Sequence, residues 1–146
     1  MMARPTVLLL NGNEDLLEVL CELVEREGLR AVYALIPDLE RGRVDFTALM
    51  REHTPAAIVF DVSLPYSWSW STFKELSARP EVTGIPFVLT TTNKDAAEEF
   101  TGPDVIELLF KPYDIVRFLE AVKVAVDRSS RHRGEGVIRA ETQRSA

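Results

Sequence analysis

Only one cysteine, Cys21, occurs in the 146 residues, so no disulfide closes within the chain. It sits among Leu20, Leu23 and Val24, a helix-spaced apolar stretch that suits a small buried hydrophobe. A reactive thiol needs an electropositive, partly open setting, and the neighbouring sequence offers none. The two histidines, His53 and His132, are far apart and have no cysteine pair to join them, which excludes a metal site built on them. No apolar run approaches the ~18 residues of a membrane span. No secretory signal precedes the first apolar run, Val7 to Leu10. A cytoplasmic protein with no membrane partner is therefore expected. The GxGxxG, P-loop and GxSxG elements are absent, and Gly12 alone in the first loop does not make a nucleotide site. A flavin would want a hydroxyl-rich first loop, whereas this one is acidic. No base, nucleophile and orienting group converge, so the chain is not expected to be an enzyme.

Apolar residues make up 46% and charged residues 27%, the balance of a chain that buries a core and folds as one domain. The charge is unevenly placed. Residues 1–127 carry a net −9 and residues 128–146 a net +3, for −6 overall. An acidic body argues against a nucleic-acid surface on the domain.

The apolar pattern alternates between two periods. Val7 to Leu10 is continuous, as in a strand buried on both faces. Leu16, Leu17, Leu20, Leu23 and Val24 follow at helical spacing, with Asn13 as cap, Glu14 and Asp15 in the first turn, and Gly28 as the stop. Ala31 to Ile36 reads as a second strand ended by Pro37, with a polar loop from Asp38 to Asp45. A short helix spans Phe46 to Glu52, and Ala56 to Phe60 is a third strand ending at Asp61. After Pro65 a third helix holds Trp70, Phe73, Lys74 and Leu76. Phe87 to Thr91 is the fourth strand, Asp95 to Phe100 a weak helix, and Val105 to Phe110 the fifth strand. Ile115, Phe118, Leu119, Val122 and Val126 form the apolar stripe of the last helix. The expected fold is α/β: a flavodoxin-like, doubly wound, five-stranded parallel sheet of order 2-1-3-4-5 with helices on both faces. Residues 1–128 form the domain, and 129–146 read as a flexible basic tail.

In such sheets ligands bind at the carboxyl ends of the strands, beside the point where strand order reverses. Asn11-Gly12-Asn13 ends the first strand, Asp61 the third and Thr91 the fourth, and Lys111 follows the fifth. Four chemically capable positions thus fall on one rim.

With these residues in place, the chain resembles the receiver domain of bacterial response regulators over roughly Thr6 to Arg128. The phosphoacceptor motif is matched by Ala57-Ile58-Val59-Phe60-Asp61-Val62-Ser63-Leu64-Pro65. The Ile-Pro-strand-Thr segment is matched by Ile85 to Thr91, and the Lys-Pro after strand five by Lys111-Pro112, where a cis peptide is typical of the family. The resemblance implies that Asp61 accepts a phosphoryl group from a partner histidine kinase. Thr91 then donates to a phosphoryl oxygen and Lys111 pairs with another.

The sequence also departs from that family. The two adjacent acids that hold Mg²⁺ after strand one are Asn11 and Gly12 here. Asn11, Asp61 and the Ser63 carbonyl are left as ligands, so a weak or absent Mg²⁺ site is expected. Glu14 or Asp15 would be the substitutes, though first-turn acids commonly serve the helix dipole. The family's switching aromatic is Leu108 here, and Phe110 has the opposite strand parity. The segment between Thr91 and Lys111 is shorter than the family's and is broken by Thr101-Gly102-Pro103. The loop after Asp61 lacks glycine and carries Tyr66, Trp68 and Trp70. Trp70 is expected to start the third helix and pack inward, leaving Tyr66 and Trp68 as anchors for a protein partner.

Two readings follow. In one, the chain is a stand-alone, atypical receiver in phosphorelay signalling, a protein-interaction module with impaired or absent Mg²⁺-dependent phosphorylation. In the other, it is a conventional response regulator switched by phosphorylation of Asp61. Either way its partner is a histidine kinase or another signalling protein, with pairing to a second copy left open.

Overall fold

The computed structural model describes residues 4–91, the backbone of 105–110, and 115–129. In chain order the elements are β1 (Thr6–Asn11), α1 (Glu14–Arg26), β2 (Arg30–Leu35), α2 (Ile36–Glu40), α3 (Phe46–His53), β3 (Ala57–Val62), α4 (Tyr66–Ser77), a 3-10 turn (Pro80–Val82), β4 (Phe87–Thr91), β5 (Val105–Phe110) and α5 (115–129). The five strands form one parallel sheet in the order β2-β1-β3-β4-β5, the order expected of a flavodoxin-like doubly wound sheet. The registers run Val7 with Ala31 and Ala57, Val59 with Val88, and Leu89 with Leu108.

The strand runs are continuously apolar because both faces of the sheet are covered. Alternate residues divide between two cores. Val7, Leu9, Val59 and Val88 pack with Leu17, Leu20 and Val24 of α1 and with Phe118, Val122 and Ala125 of α5. Leu8, Leu10, Ile58, Phe60 and Leu89 pack on the other face with Phe46 and Met50 of α3 and Trp70, Phe73 and Leu76 of α4. Phe73 is the hub of the second core: its ring meets Phe87 edge-on at 5.1 Å and lies 5.5 Å from Phe60 and 5.8 Å from Trp70.

The helix ends follow the local signals. The Asn13 side chain accepts from Leu16 N–H at 3.1 Å, and Asp45 accepts from Thr47 N–H at 3.0 Å. Gly28 takes a φ of 85° just past α1, a conformation that suits glycine.

The structure corrects three expectations. Ile36 to Glu40 is a short helix rather than the end of a strand and the start of a loop. Pro37 lies in its first turn, where the missing N–H costs nothing, so the proline starts a helix as well as ending a strand. The helix after Asp61 begins at Tyr66, directly behind Pro65, a turn earlier than Trp70. Ile115 is 41% exposed and lies off the inward stripe that Phe118 and Val122 form. A cis peptide is found at Leu64–Pro65. Lys111-Pro112, the helix at 95–100, the Thr101-Gly102-Pro103 break, the side chain of Leu108 and the tail at 130–146 lie outside the described residues.

Candidate functional site

The rim at the carboxyl ends of β1, β3 and β4 gathers Asn11, Asp61 and Thr90. Asp61 is the penultimate residue of β3 and is only 2% exposed. Its register partner on β4 is Thr90, and the Thr90 hydroxyl donates to Asp61 Oδ1 at 2.6 Å. A short O–H···O bond to a carboxylate is among the stronger hydrogen bonds, and it offsets part of the cost of burying that charge.

Strand parity explains the choice of threonine. Asp61 alternates with Val59 and Thr90 with Val88, so both belong to the face covered by α1 and α5. Thr91 stands one step further on, opposite Val62, with the parity of Leu89. It is fully buried and has interactions of its own. The motif pointed to Thr91, but the hydroxyl placed beside Asp61 by the register is that of Thr90. Alternation from Val88 would have singled out Thr90. The missing information was the register of β3 against β4, which is set in three dimensions.

Asn11 shares the parity of Leu9, and hence the face of Asp61. It is buried, and its Oδ1 accepts from Asn13 N–H at 3.0 Å. The side-chain oxygen that would face a cation thus closes the turn leading into α1. Gly12 adds no ligand, although a Cβ built on it would meet nothing within 4 Å. Glu14 does not turn to the rim: it accepts from the Tyr33 hydroxyl of β2 at 3.2 Å, a bond that raises the Tyr33 pKa above its ordinary value. Asp15 is exposed in the first turn of α1.

Ser63, two residues past Asp61, donates its N–H to the buried Ser69 hydroxyl at 3.1 Å. That amide is engaged inside the protein. Lys111, the expected cation of the rim, lies outside the described residues.

Mg²⁺ binds through one or two carboxylates in a near-octahedral oxygen shell. The rim offers Asp61, already bonded at Oδ1, and the neutral oxygen of Asn11, already bonded at Oδ1. No group of three or more His, Cys, Asp or Glu residues able to hold a metal is found among the described residues. This donor set fits Mg²⁺ poorly.

The aromatics after Asp61 separate cleanly. Trp70 is 4% exposed and belongs to the core, as expected. Trp68 is 70% exposed. Tyr66, expected beside it at the surface, is half-buried against the α3–α4 core because α4 already starts there. Trp68 stands over an open groove of about 970 Å³ between α4 and the α2–α3 segment, whose walls include Leu39, Val44, Phe46 and Leu76. Among the described residues no helix is long and apolar enough to cross a membrane.

No protein-family model matches the chain, and no curated protein matches it. Solved structures do. A sensor protein from Polaromonas sp. JS666 is 21% identical with a TM-score of 0.67, over 87% of this chain and 99% of that one. The chemotaxis protein CheY4 of Vibrio cholerae is 17% identical with a TM-score of 0.66, over 84% and 99%. A CheY-like response regulator receiver domain protein of Methanospirillum hungatei JF-1 is 15% identical with a TM-score of 0.70, over 89% and 99%. At these identities the likeness is one of architecture, and the chain has the CheY-like receiver-domain fold.

Proposed function

We propose that this chain is an atypical receiver in two-component, phosphorelay signalling. It acts as a protein-interaction module in the cytoplasm without enzymatic activity of its own, and its Mg²⁺-dependent phosphorylation is impaired or absent. The observation that carries this reading is the state of Asp61: buried, bonded at Oδ1 to Thr90, and beside an asparagine where a Mg²⁺ site needs acid. Without the ion, charge developing on a transferring phosphoryl group goes unneutralised. The partner is a histidine kinase or another signalling protein, and exposed Trp68 at the head of α4 is its anchor, flanked by Tyr66.

The competing reading is a conventional phospho-switch. Asp61 favours it by standing at the carboxyl end of β3 with a hydroxyl beside it. Intact-protein mass after incubation with a small phosphodonor, with and without Mg²⁺, separates the two. The expected result is no added phosphoryl group while a kinase-competent receiver labels in parallel. A Mg²⁺-dependent gain that Asp61→Asn abolishes overturns the atypical reading.

A further inference from the structure

The amino-terminal edge of the sheet, at the far end of the strands from Asp61, carries a polar cavity. Thr6 opens β1 there, and its register partner is Arg30, the first residue of β2. On its other side the Thr6 carbonyl accepts from Ala56 N–H at 2.7 Å. Alternation from Leu8 and from Ala34 puts the Thr6 and Arg30 side chains on the α3 face of the sheet. His53, the last residue of α3, its cap Thr54, and Arg4 complete the walls of a cavity of about 290 Å³.

These walls are cationic in an otherwise acidic body. Neither Arg4 nor Arg30 has an ion-pair partner among the described residues, whereas Arg26, Arg43 and Arg79 each hold a carboxylate. Glu52 also lines the cavity, but it is exposed, and its Oε2 stands 3.8 Å from His53 Nε2, beyond hydrogen-bond distance. Two guanidinium groups and an imidazole thus face one carboxylate. Thr6 is only 8% exposed, and its hydroxyl has no hydrogen-bond partner among the described residues. A buried hydroxyl is seldom left so, and the partner that the protein does not supply has to come from the cavity. Thr54 ends α3 at a φ of 39°, which a β-branched residue seldom adopts, and adds a second hydroxyl-bearing residue to the walls.

A phosphate group suits these donors better than a carboxylate does. Guanidinium forks match both, but a phosphate monoester brings three strong acceptor oxygens and a charge of about −1.5 to −2 at neutral pH. Two arginines balance that larger charge. The volume lies at the lower end of the range of small-molecule pockets, ~300–1,000 Å³. We propose that this cavity binds a phosphate group, as the free ion or as a small monoester, through Arg4, Arg30, His53 and the Thr6 hydroxyl. The site is separate from the rim and does not rest on the reading of Asp61.

The test is an NMR titration of the full chain with inorganic phosphate and, separately, with glycerol 3-phosphate, at an ionic strength held constant with chloride. The amides of Thr6, Arg30 and Thr54 are expected to shift and saturate, while those of Asn13 and Thr90 at the rim stay still. Arg30→Gln should raise the Kd about tenfold or more, the worth of a hydrogen bond to a charged group. Thr6→Val, which keeps the shape and removes the hydroxyl, should raise it about two- to tenfold. Arg43→Gln, outside the cavity, should leave it unchanged. Tighter binding of the monoester identifies an esterified ligand, and tighter binding of inorganic phosphate identifies the ion. Shifts that do not saturate overturn the proposal, as does saturation at the rim amides instead. A Kd that Arg30→Gln leaves unchanged, or that Arg43→Gln weakens equally, also overturns it, because the effect is then one of net charge. Acetate binding as tightly as phosphate overturns the choice of ligand.

Discussion

Thr90 donates its hydroxyl to Asp61 across the β3–β4 register, at 2.6 Å, with both residues buried. The pair ties two central strands together at the rim, so a residue selected by motif for its reactivity also has a structural role. Thr90→Val keeps the shape and removes the donor. It is expected to cost about 1–3 kcal/mol, the usual penalty for leaving a buried polar partner unmet. Urea denaturation measures it. Thr90→Ser should recover most of the loss. Asp61→Ala should also destabilise, and the two losses should fall short of additive in a double-mutant cycle. A native-like midpoint for Thr90→Val would show that the bond contributes nothing.

Restoring acid to the first loop should restore the ion. Asn11→Asp keeps an oxygen for Asn13 N–H, and Gly12→Asp enters open space. The double variant gathers three carboxylates at the rim and should lose stability without Mg²⁺, because like charges then face one another. Added Mg²⁺ should raise its Tm, as any ligand of the native state does, and leave the native chain unmoved. Thermal melts across a Mg²⁺ series decide it. Equal responses from both proteins would reject the account of the donor set.

Ser69 holds the loop after Asp61 through Ser63 N–H. In Ser69→Ala that amide loses its acceptor, at a cost of about 1–3 kcal/mol if it stays dry. Hydrogen exchange should show Ser63 losing protection while amides within β3 keep theirs. Unchanged protection at Ser63 would place its restraint elsewhere.

The lone thiol should be unreactive. Half-burial first, then the Glu25 and Glu18 carboxylates, push the Cys21 pKa from 9.0 to about 11. At pH 8 its thiolate fraction is then about a hundredth of that of an ordinary thiol of pKa 9. Alkylation by iodoacetamide should be slow at pH 8 in the folded protein and fast in denaturant. The raised pKa favours the folded state below pH 9. That contribution is lost as pH climbs from 9 toward 11, where the unfolded thiol ionises first.

Much of this architecture was legible because β1, β3 and β4 are short apolar runs separated by helical stripes, and a doubly wound sheet is the arrangement that covers such strands on both faces. Asn13, Asp45 and Gly28 mark helix ends by chemistry that acts within a few residues. The misses are of another kind. Pro37 carries two local meanings, strand end and helix start, and the burial of Ile36 beneath the second core selected the helix. Tyr66 alternates with Trp70 along the sequence and so reads as exposed, but α4 starts at Tyr66 itself and packs it partly against the core. Thr90 escaped because adjacent threonines are equivalent in a motif, and only the cross-strand register tells them apart.

The vacant space over Gly12 has a genetic reading. Every asparagine codon, and each glycine codon that ends in a pyrimidine, lies one base from an aspartate codon, and a Cβ at position 12 meets nothing within 4 Å. The two rim chemistries therefore sit two residue substitutions apart on one scaffold. A library that randomises only these two positions, screened for Mg²⁺-dependent stabilisation, would trace the whole path between them without altering the core.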